Sequence, residues 1–232
     1  ARGSGSSRGE TTSKKNPNLV TAARDAFRRQ QSECGPVSIL LNKKIPVGSG
    51  LGGGSADAAA TLRALNKMVT HPLPKQDLFA IAAELGSDVP ACLAATPHRI
   101  TGTGKVIHQL EMTPTGALLL VNPLVPLSTA LVFEKLRPPY NQPLPEITSF
   151  DIVELCAHGN DLELAATALM PQINELLKSL RHIPSCQAAN MSGSGASCFG
   201  FFDDIDSAAA AAAQFRAAGV WAMPTGFFFS NN

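Results

Sequence analysis

The sequence predicts an α+β protein of two domains, and three observations point there. First, residues 46–59, PVGSGLGGGSADAA, form a glycine-rich loop that follows an apolar run and leads straight into an Ala-rich helix. Second, the chain beyond residue 116 reads as strand, helices, strand, strand, helix, strand, the order of an antiparallel sheet with helices on one face. Third, 232 residues at 44% hydrophobic and 16% charged suffice for one large core or two small ones. These divide the chain into a disordered tail at 1–17, a first domain at 18–115 and a second at 116–232.

The totals remove several classes of function. A net charge of +1 with scattered basic residues leaves no electrostatic footprint for nucleic acid. No apolar run approaches a membrane span. Cys34, Cys92, Cys156, Cys186 and Cys198 are odd in number and form no C-x-x-C pair, which suits free thiols in a reducing compartment rather than zinc or a disulfide framework. His71, His98, His108, His158 and His182 lie neither at metal spacing nor beside a nucleophile. Ser49, Ser55 and Ser194 lack the strand, turn and helix context of a hydrolase elbow.

In the first half, residues 1–15 are Gly- and Ser-rich with no apolar stretch of a secretory signal, although the Arg and Ser content also fits an organellar transit remnant. Asn18 caps a helix over 19–31 that carries Leu19, Val20, Ala23 and Phe27 on one face. Residues 37–41 read as a strand into the glycine loop, and Lys43 and Lys44 as its solvated end. In the loop, Gly48, Gly50, Gly52, Gly53 and Gly54 free the backbone for positive φ and let several N–H groups approach one anion. Ser55 then opens a helix over 56–68, with Leu62 and Leu65 at core spacing, so the positive end of the helix dipole faces the same place. In chemical terms this is a phosphate site, and the Ser55 hydroxyl is within reach of a bound Mg²⁺.

Two better-known glycine loops do not fit. A Walker A loop ends in Gly-Lys-Ser/Thr, whereas Gly54 precedes Ser55 here. Gly48, Gly50 and Gly53 satisfy G-x-G-x-x-G, but a second helix follows instead of the parallel strand and acid of a dinucleotide fold. A flexible linker would be polar on both sides, unlike this loop.

That second helix spans 75–85, ends at Gly86 as its C-cap and presents Asp88 in a turn. Residues 94–100 and 105–110 read as strands joined at 101–104, and 116–121 as a buried strand. A loop at 123–128 enters a helix over 129–136, and the proline-rich stretch 137–145 is a connector. Helices follow over 147–157 and 162–180, the latter broken at Pro171. Strands at 188–191 and 198–202 flank a second glycine loop at 192–196, and a helix over 207–218 and a strand over 220–228 close the chain.

Residues 46–59 resemble the second motif of the GHMP kinases, usually Pro-x-Gly-x-Gly-Leu-Gly/Ser-Ser-Ser-Ala. Further matches follow in the expected order: Gly86-Ser-Asp88-Val-Pro90, Asn122-Pro123 with Ser128-Thr129 to Phe133, Asn160-Asp-Leu-Glu163, and Met191-Ser-Gly-Ser-Gly-Ala196. The triple glycine before Ser-Ala-Asp is most similar to the member that acts on a cytidine diphosphate-linked methylerythritol in the non-mevalonate isoprenoid pathway. The resemblance implies a GHMP kinase fold, with an N-terminal ribosomal-protein-S5-like α/β domain, incomplete here, and a C-terminal ferredoxin-like α+β domain. It implies ATP and Mg²⁺ as cofactors and transfer of a phosphoryl group to a hydroxyl of that small-molecule substrate, with neither nucleic acid nor membrane as partner.

By the same resemblance, Pro46, Val47, Gly48, Ser49, Gly50, Leu51, Gly52, Gly53, Gly54, Ser55 and Ala56 hold the nucleotide, with Ser55 at the metal. Asp88 inherits the role of taking the acceptor's proton. Thr129 and Phe133 lie along the cytidine site, and the second glycine loop, which resembles the third family motif, lies against the first and completes the substrate and phosphate pocket with Gly193, Ser194 and Gly195. Thr129 and Phe133 share a helix face, although a Phe at that spacing serves equally well in a core. The member this chain most resembles carries a lysine-bearing strand and a Gly-Tyr-His motif before the position of Asn18, and neither is present here, so a truncated, processed or engineered N-terminus is expected. Two alternatives stay open: another small-molecule kinase of the superfamily, or a nucleotide-binding but catalytically silent fragment. The expected state is a monomer or homodimer in a bacterial cytoplasm, with the plastid stroma as the alternative.

Overall fold

The structure is a computed structural model that describes residues 18–102, 106–110, 115–140 and 151–227. The expected tail at 1–17, the turn at 103–104, the start of the helix expected at 147 and the connector beyond 140 lie outside the described residues. The described residues divide into two compact units, 18–37 with 54–93 in the first, and 38–53 with those from 94 to 227 in the second.

The first unit is helical. Helix α1 (Leu19–Gln30) starts where Asn18 Oδ1 accepts the Val20 N–H at 3.0 Å, the predicted cap. Helix α2 (Gly53–Met68) begins inside the triple glycine, earlier than the Ser55 start read from the sequence, because helical φ and ψ are open to glycine too. Leu62 and Leu65 are buried as their spacing predicted, together with Ala58 and Ala59. Helix α3 (Lys75–Leu85) matches its prediction, but Gly86 is extended at φ 162°, not a left-handed cap.

A fourth helix, α4 (Val89–Ala94), replaces the expected turn and the first residues of the strand expected from 94. Pro90 reads as a breaker in sequence, yet in a first helical turn its missing N–H has no partner to lose. Ala23, Phe27, Leu62, Ile81 and Val89 bring all four helices into one core.

The second unit holds the glycine loop and both sheets. Residues 37–41 form no strand: no described residue pairs with them, and Leu40 is 97% exposed. Apolar β-formers supply propensity, but a strand exists only in a ladder. Strands β1 (His98–Thr101) and β2 (Val106–Gln109) form an antiparallel pair.

The larger sheet contains β3 (Ala117–Asn122), β4 (Ala188–Met191), β5 (Cys198–Phe202) and β6 (Trp221–Gly226) in the antiparallel order β4-β5-β3-β6. First strand central, last strand beside it, second strand at the far edge: this is the ferredoxin-like order. Pro224 sits on edge strand β6, where a missing N–H breaks no second ladder.

Helices α5 (Thr129–Lys135), α6 (Ile152–Ala157), α7 (Glu163–Leu169), α8 (Gln172–Arg181) and α9 (Ile205–Ala217) complete the unit. The break at Pro171 falls between α7 and α8 as predicted. Helix α9 starts before Ser207 because Asp204 caps it, accepting the Ser207 N–H at 2.7 Å. Alternate β3 residues Ala117, Leu119 and Val121 share a core with Ile173 and Leu177 of α8 and Ala212 and Phe215 of α9.

Candidate active site

The glycine loop takes the backbone its composition calls for. Gly48, Gly50 and Gly52 have φ of 67°, 74° and 64°. At Gly50 the requirement is double, because a Cβ there would stand 2.5 Å from Gly195 O and 2.6 Å from Ser192 O. The N–H groups of Gly50, Leu51 and Gly52 donate to no acceptor among the described residues, and the chain passes directly from them into the first turn of α2. Donors without a partner among the described residues, followed in the chain by the positive end of a 16-residue helix, have the chemistry that an anion would match. Ser55 is half-buried in that first turn, whereas Val47 is 84% exposed and Ala56 is exposed.

The second glycine loop packs on the first. Ser192 Oγ donates to Gly50 O at 2.9 Å, and the Ser197 N–H donates to Ser49 O at 3.1 Å. The loop is closed on itself by Gly195 N–H to Ser192 O and Ser192 N–H to Ser197 O, both 2.9 Å. Ser49, Ser194 and Ser197 are buried, and each burial is matched by a hydrogen bond.

Three side chains hold this second loop from other elements. Thr129 Oγ1 on α5 lies 2.8 Å from Ser194 Oγ. Asn122 Nδ2, at the end of β3, donates to Ser197 Oγ at 2.8 Å while its Oδ1 accepts the Leu124 N–H at 2.7 Å. Asn160 Nδ2 donates to Met191 O at 3.0 Å and Gly193 O at 2.8 Å. The structure thus brings together Ser49, Gly50, Thr129, Gly193, Ser194 and Gly195 of the predicted residues. Ser192 enters as a member of the loop expected to lie against the first, while Asn122, Asn160 and Ser197 enter with no role foreseen, although Asn122 and Asn160 stood in recognisable motifs.

Phe133 is 56% exposed while its neighbour Val132 is fully buried, so the ring is not a core residue. Thr129 and Phe133 stand one turn apart on α5, leaving an open aromatic face near the Thr129 contact.

Asp88 belongs to the first unit. It is exposed, its Oδ1 accepts the Ser87 hydroxyl at 3.1 Å, and its carbonyl accepts the Cys92 N–H at 3.1 Å in the opening turn of α4. Arg63 of α2 donates through Nη1 to Cys92 O at 2.8 Å and Leu93 O at 3.3 Å, tying the end of α4 to α2. Burial pushes the Cys92 thiol up, and the Asp88 charge adds to the effect while Arg63 opposes it.

A cavity of about 840 Å³ lies elsewhere in the second unit, with Lys135, Arg137, Cys156, Asn160, Arg181 and Asn190 on its wall. None of the residues assigned from the sequence lines it. Among the described residues no cluster of three or more His, Cys, Asp or Glu side chains could hold a metal, and no helix is long and apolar enough to cross a membrane.

The GHMP kinases N terminal domain matches residues 18–96, and the GHMP kinases C terminal domain matches residues 149–220. The 4-diphosphocytidyl-2-C-methyl-D-erythritol kinase of Sinorhizobium medicae is 44% identical over 204 residues, covering 84% of this chain and 67% of the relative. Its namesake in Cereibacter sphaeroides is 43% identical over 216 residues, covering 89% and 75%. That of Paramagnetospirillum magneticum is 42% identical over 186 residues, covering 78% of this chain and 65% of its own length.

A crystal structure of 4-(cytidine 5'-diphospho)-2C-methyl-D-erythritol kinase superposes with a TM-score of 0.77 at 32% identity, over 94% of this chain and 81% of the other. The homoserine kinase of Cytophaga hutchinsonii shares the fold, with a TM-score of 0.65 at 18% identity over 91% and 76% of the two chains. Two domain matches in order, the ferredoxin-like sheet and relatives above 40% identity lead to one conclusion: this chain belongs to the GHMP kinases, in the 4-diphosphocytidyl-2-C-methyl-D-erythritol kinase family.

Proposed function

We propose that this chain moves the γ-phosphoryl group of ATP to a hydroxyl of 4-diphosphocytidyl-2-C-methyl-D-erythritol in the non-mevalonate isoprenoid pathway. The observation that carries the reading is the pair of interlocked glycine loops, with the N–H groups of Gly50, Leu51 and Gly52, unpaired among the described residues, leading into α2. Phosphoryl transfer asks mainly for positioning and for donors aimed at phosphate oxygens, and this loop offers both without a lysine of its own.

Mg²⁺ keeps most of its waters and takes one or two protein ligands beside the phosphates, a need that the single half-buried hydroxyl of Ser55 fits. When bound there, the metal neutralises phosphate charge. Asp88 aligns the acceptor hydroxyl and takes its proton late in the transfer; its exposure leaves the carboxylate open to a substrate. Thr129 and the open Phe133 ring suit a base edge and face, with Gly193 to Gly195 along the same pocket. Five free cysteines suit a reducing compartment, and we place the reaction in a bacterial cytoplasm.

The test is acceptor-dependent ADP formation. With ATP, Mg²⁺ and diphosphocytidyl-methylerythritol, ADP should form together with an acceptor heavier by one phosphoryl group, and homoserine in its place should give background only. Turnover with homoserine alone would assign another GHMP kinase. Nucleotide binding with no turnover would assign a catalytically silent fragment.

A further inference from the structure

The Asn160-Asp-Leu-Glu163 motif has no part in the function as described so far, although its first residue touches the second glycine loop. Asn160 sits in the turn between α6 and α7 and uses its amide almost completely. Both protons of Nδ2 go to backbone carbonyls, Met191 O at 3.0 Å and Gly193 O at 2.8 Å, and Oδ1 accepts the Leu162 N–H at 2.9 Å. No other side chain of that length offers two diverging donors and an acceptor from one planar group.

The two carbonyls flank Ser192. Fixing them fixes the peptide plane before Ser192 and the one after Gly193, and so holds at both ends the two-residue segment whose Ser192 hydroxyl donates to Gly50 O at 2.9 Å. Gly193 is held at φ 53°, where a Cβ would stand 3.0 Å from Gly50 O, so little slack exists between the loops. The route from Asn160 through Ser192 and Gly193 to Gly50 is therefore one of direct hydrogen bonds and close contacts.

We infer that Asn160 is a positioning residue that holds the two glycine loops in register, and through them sets affinity for both the nucleotide and the acceptor. The inference rests on the phosphate-site reading above. It predicts a particular sensitivity to chemistry at position 160. Asn160→Asp is nearly isosteric and keeps the acceptor for Leu162, but sets a carboxylate oxygen against two carbonyl oxygens. Because Asn160 also lines the cavity, truncation at this position opens onto existing space rather than sealing a new void.

The experiment compares the wild type, Asn160→Asp and Asn160→Ala with Asn18→Ala, which removes a helix cap in the first unit. Backbone amide exchange is read first, without nucleotide. Both position-160 variants should speed exchange at residues 49–52 and 192–197 together, which Asn18→Ala should not do. In the ATP and acceptor assay at pH 8, Asn160→Asp should raise both KM values about tenfold with a smaller change in kcat, as expected when loss of a fixed geometry weakens binding.

As pH falls toward the pKa of the new carboxyl, its protonated form regains one donor. Activity relative to wild type at the same pH should then recover several-fold, a recovery that Asn160→Ala lacks. Unchanged exchange at 49–52 would overturn the inference, as would KM values within twofold of wild type. Absence of turnover in the wild type, with exchange coupled as predicted, would support the coupling and count against the kinase reading instead.

Discussion

At Gly50 the loop has room for a hydrogen and nothing larger. Positive φ alone costs an alanine about 1 kcal/mol, and contacts of 2.5 and 2.6 Å with backbone oxygens add overpacking that a rigid loop cannot relieve. We predict that Gly50→Ala lowers nucleotide affinity at least tenfold and stability by about 2 kcal/mol, read by nucleotide titration and urea unfolding. Gly48, with nothing within 4 Å of its Cβ position, should show only the smaller backbone cost.

This difference was not legible in the sequence, which shows a glycine-rich loop but not which glycine another loop presses on. The same holds for Asn122 and Ser197. Polar residues near a turn look alike until the strand register brings 191–198 over residues 49 and 50.

Among the elements, those with strong periodicity and a cap were readable. Helix α1 with Asn18, α3, the α7 to α8 break at Pro171 and strands β3 to β5 all stand close to where the sequence put them. Helix α4 was not, because six residues give too little period to see and its proline argues against a helix unless its place in the first turn is known. Residues 37–41 failed in the opposite sense: local propensity was right for a strand, but pairing is a property of two segments.

The α2 to α4 link gives a prediction at this scale. Arg63 satisfies two carbonyls at the end of the helix that starts beside Asp88. Removing a charged donor from two partners costs about 1–3 kcal/mol. Arg63→Ala should lower stability by about that amount and reduce kcat, leaving nucleotide affinity little changed; a loss confined to affinity would show that the link does not position Asp88.

Over the whole molecule, two apolar cores organise two units, and buried thiols give the second a pH signature. Burial pushes the Cys198 thiol from its ordinary 9.0 up to about 12, and that of Cys156 up to about 11. Below pH 9 the folded and unfolded chains both keep these protons, so the thiols add no pH dependence. Above it the unfolded chain releases them while the fold still holds them, and stability falls as pH rises toward 12. For the fully buried Cys198 the slope approaches about 1.4 kcal/mol per pH unit. Urea unfolding between pH 8 and 11 should show this decline, and Cys198→Ala should flatten it; equal slopes would contradict the assignment.

The two-domain α+β class and the order of the second domain were legible because the sheet alternation and the helix spacing agree with each other. The family follows from motifs in sequence order, each of them weak alone.

The most direct test of the central claim is acceptor-dependent ADP formation by the wild type and Asp88→Asn, measured beside nucleotide binding. The account predicts equal ATP affinity for the two and a kcat at least a hundredfold lower for Asp88→Asn, in keeping with loss of a general base. Full turnover by Asp88→Asn, or none by either chain despite tight nucleotide binding, would contradict it.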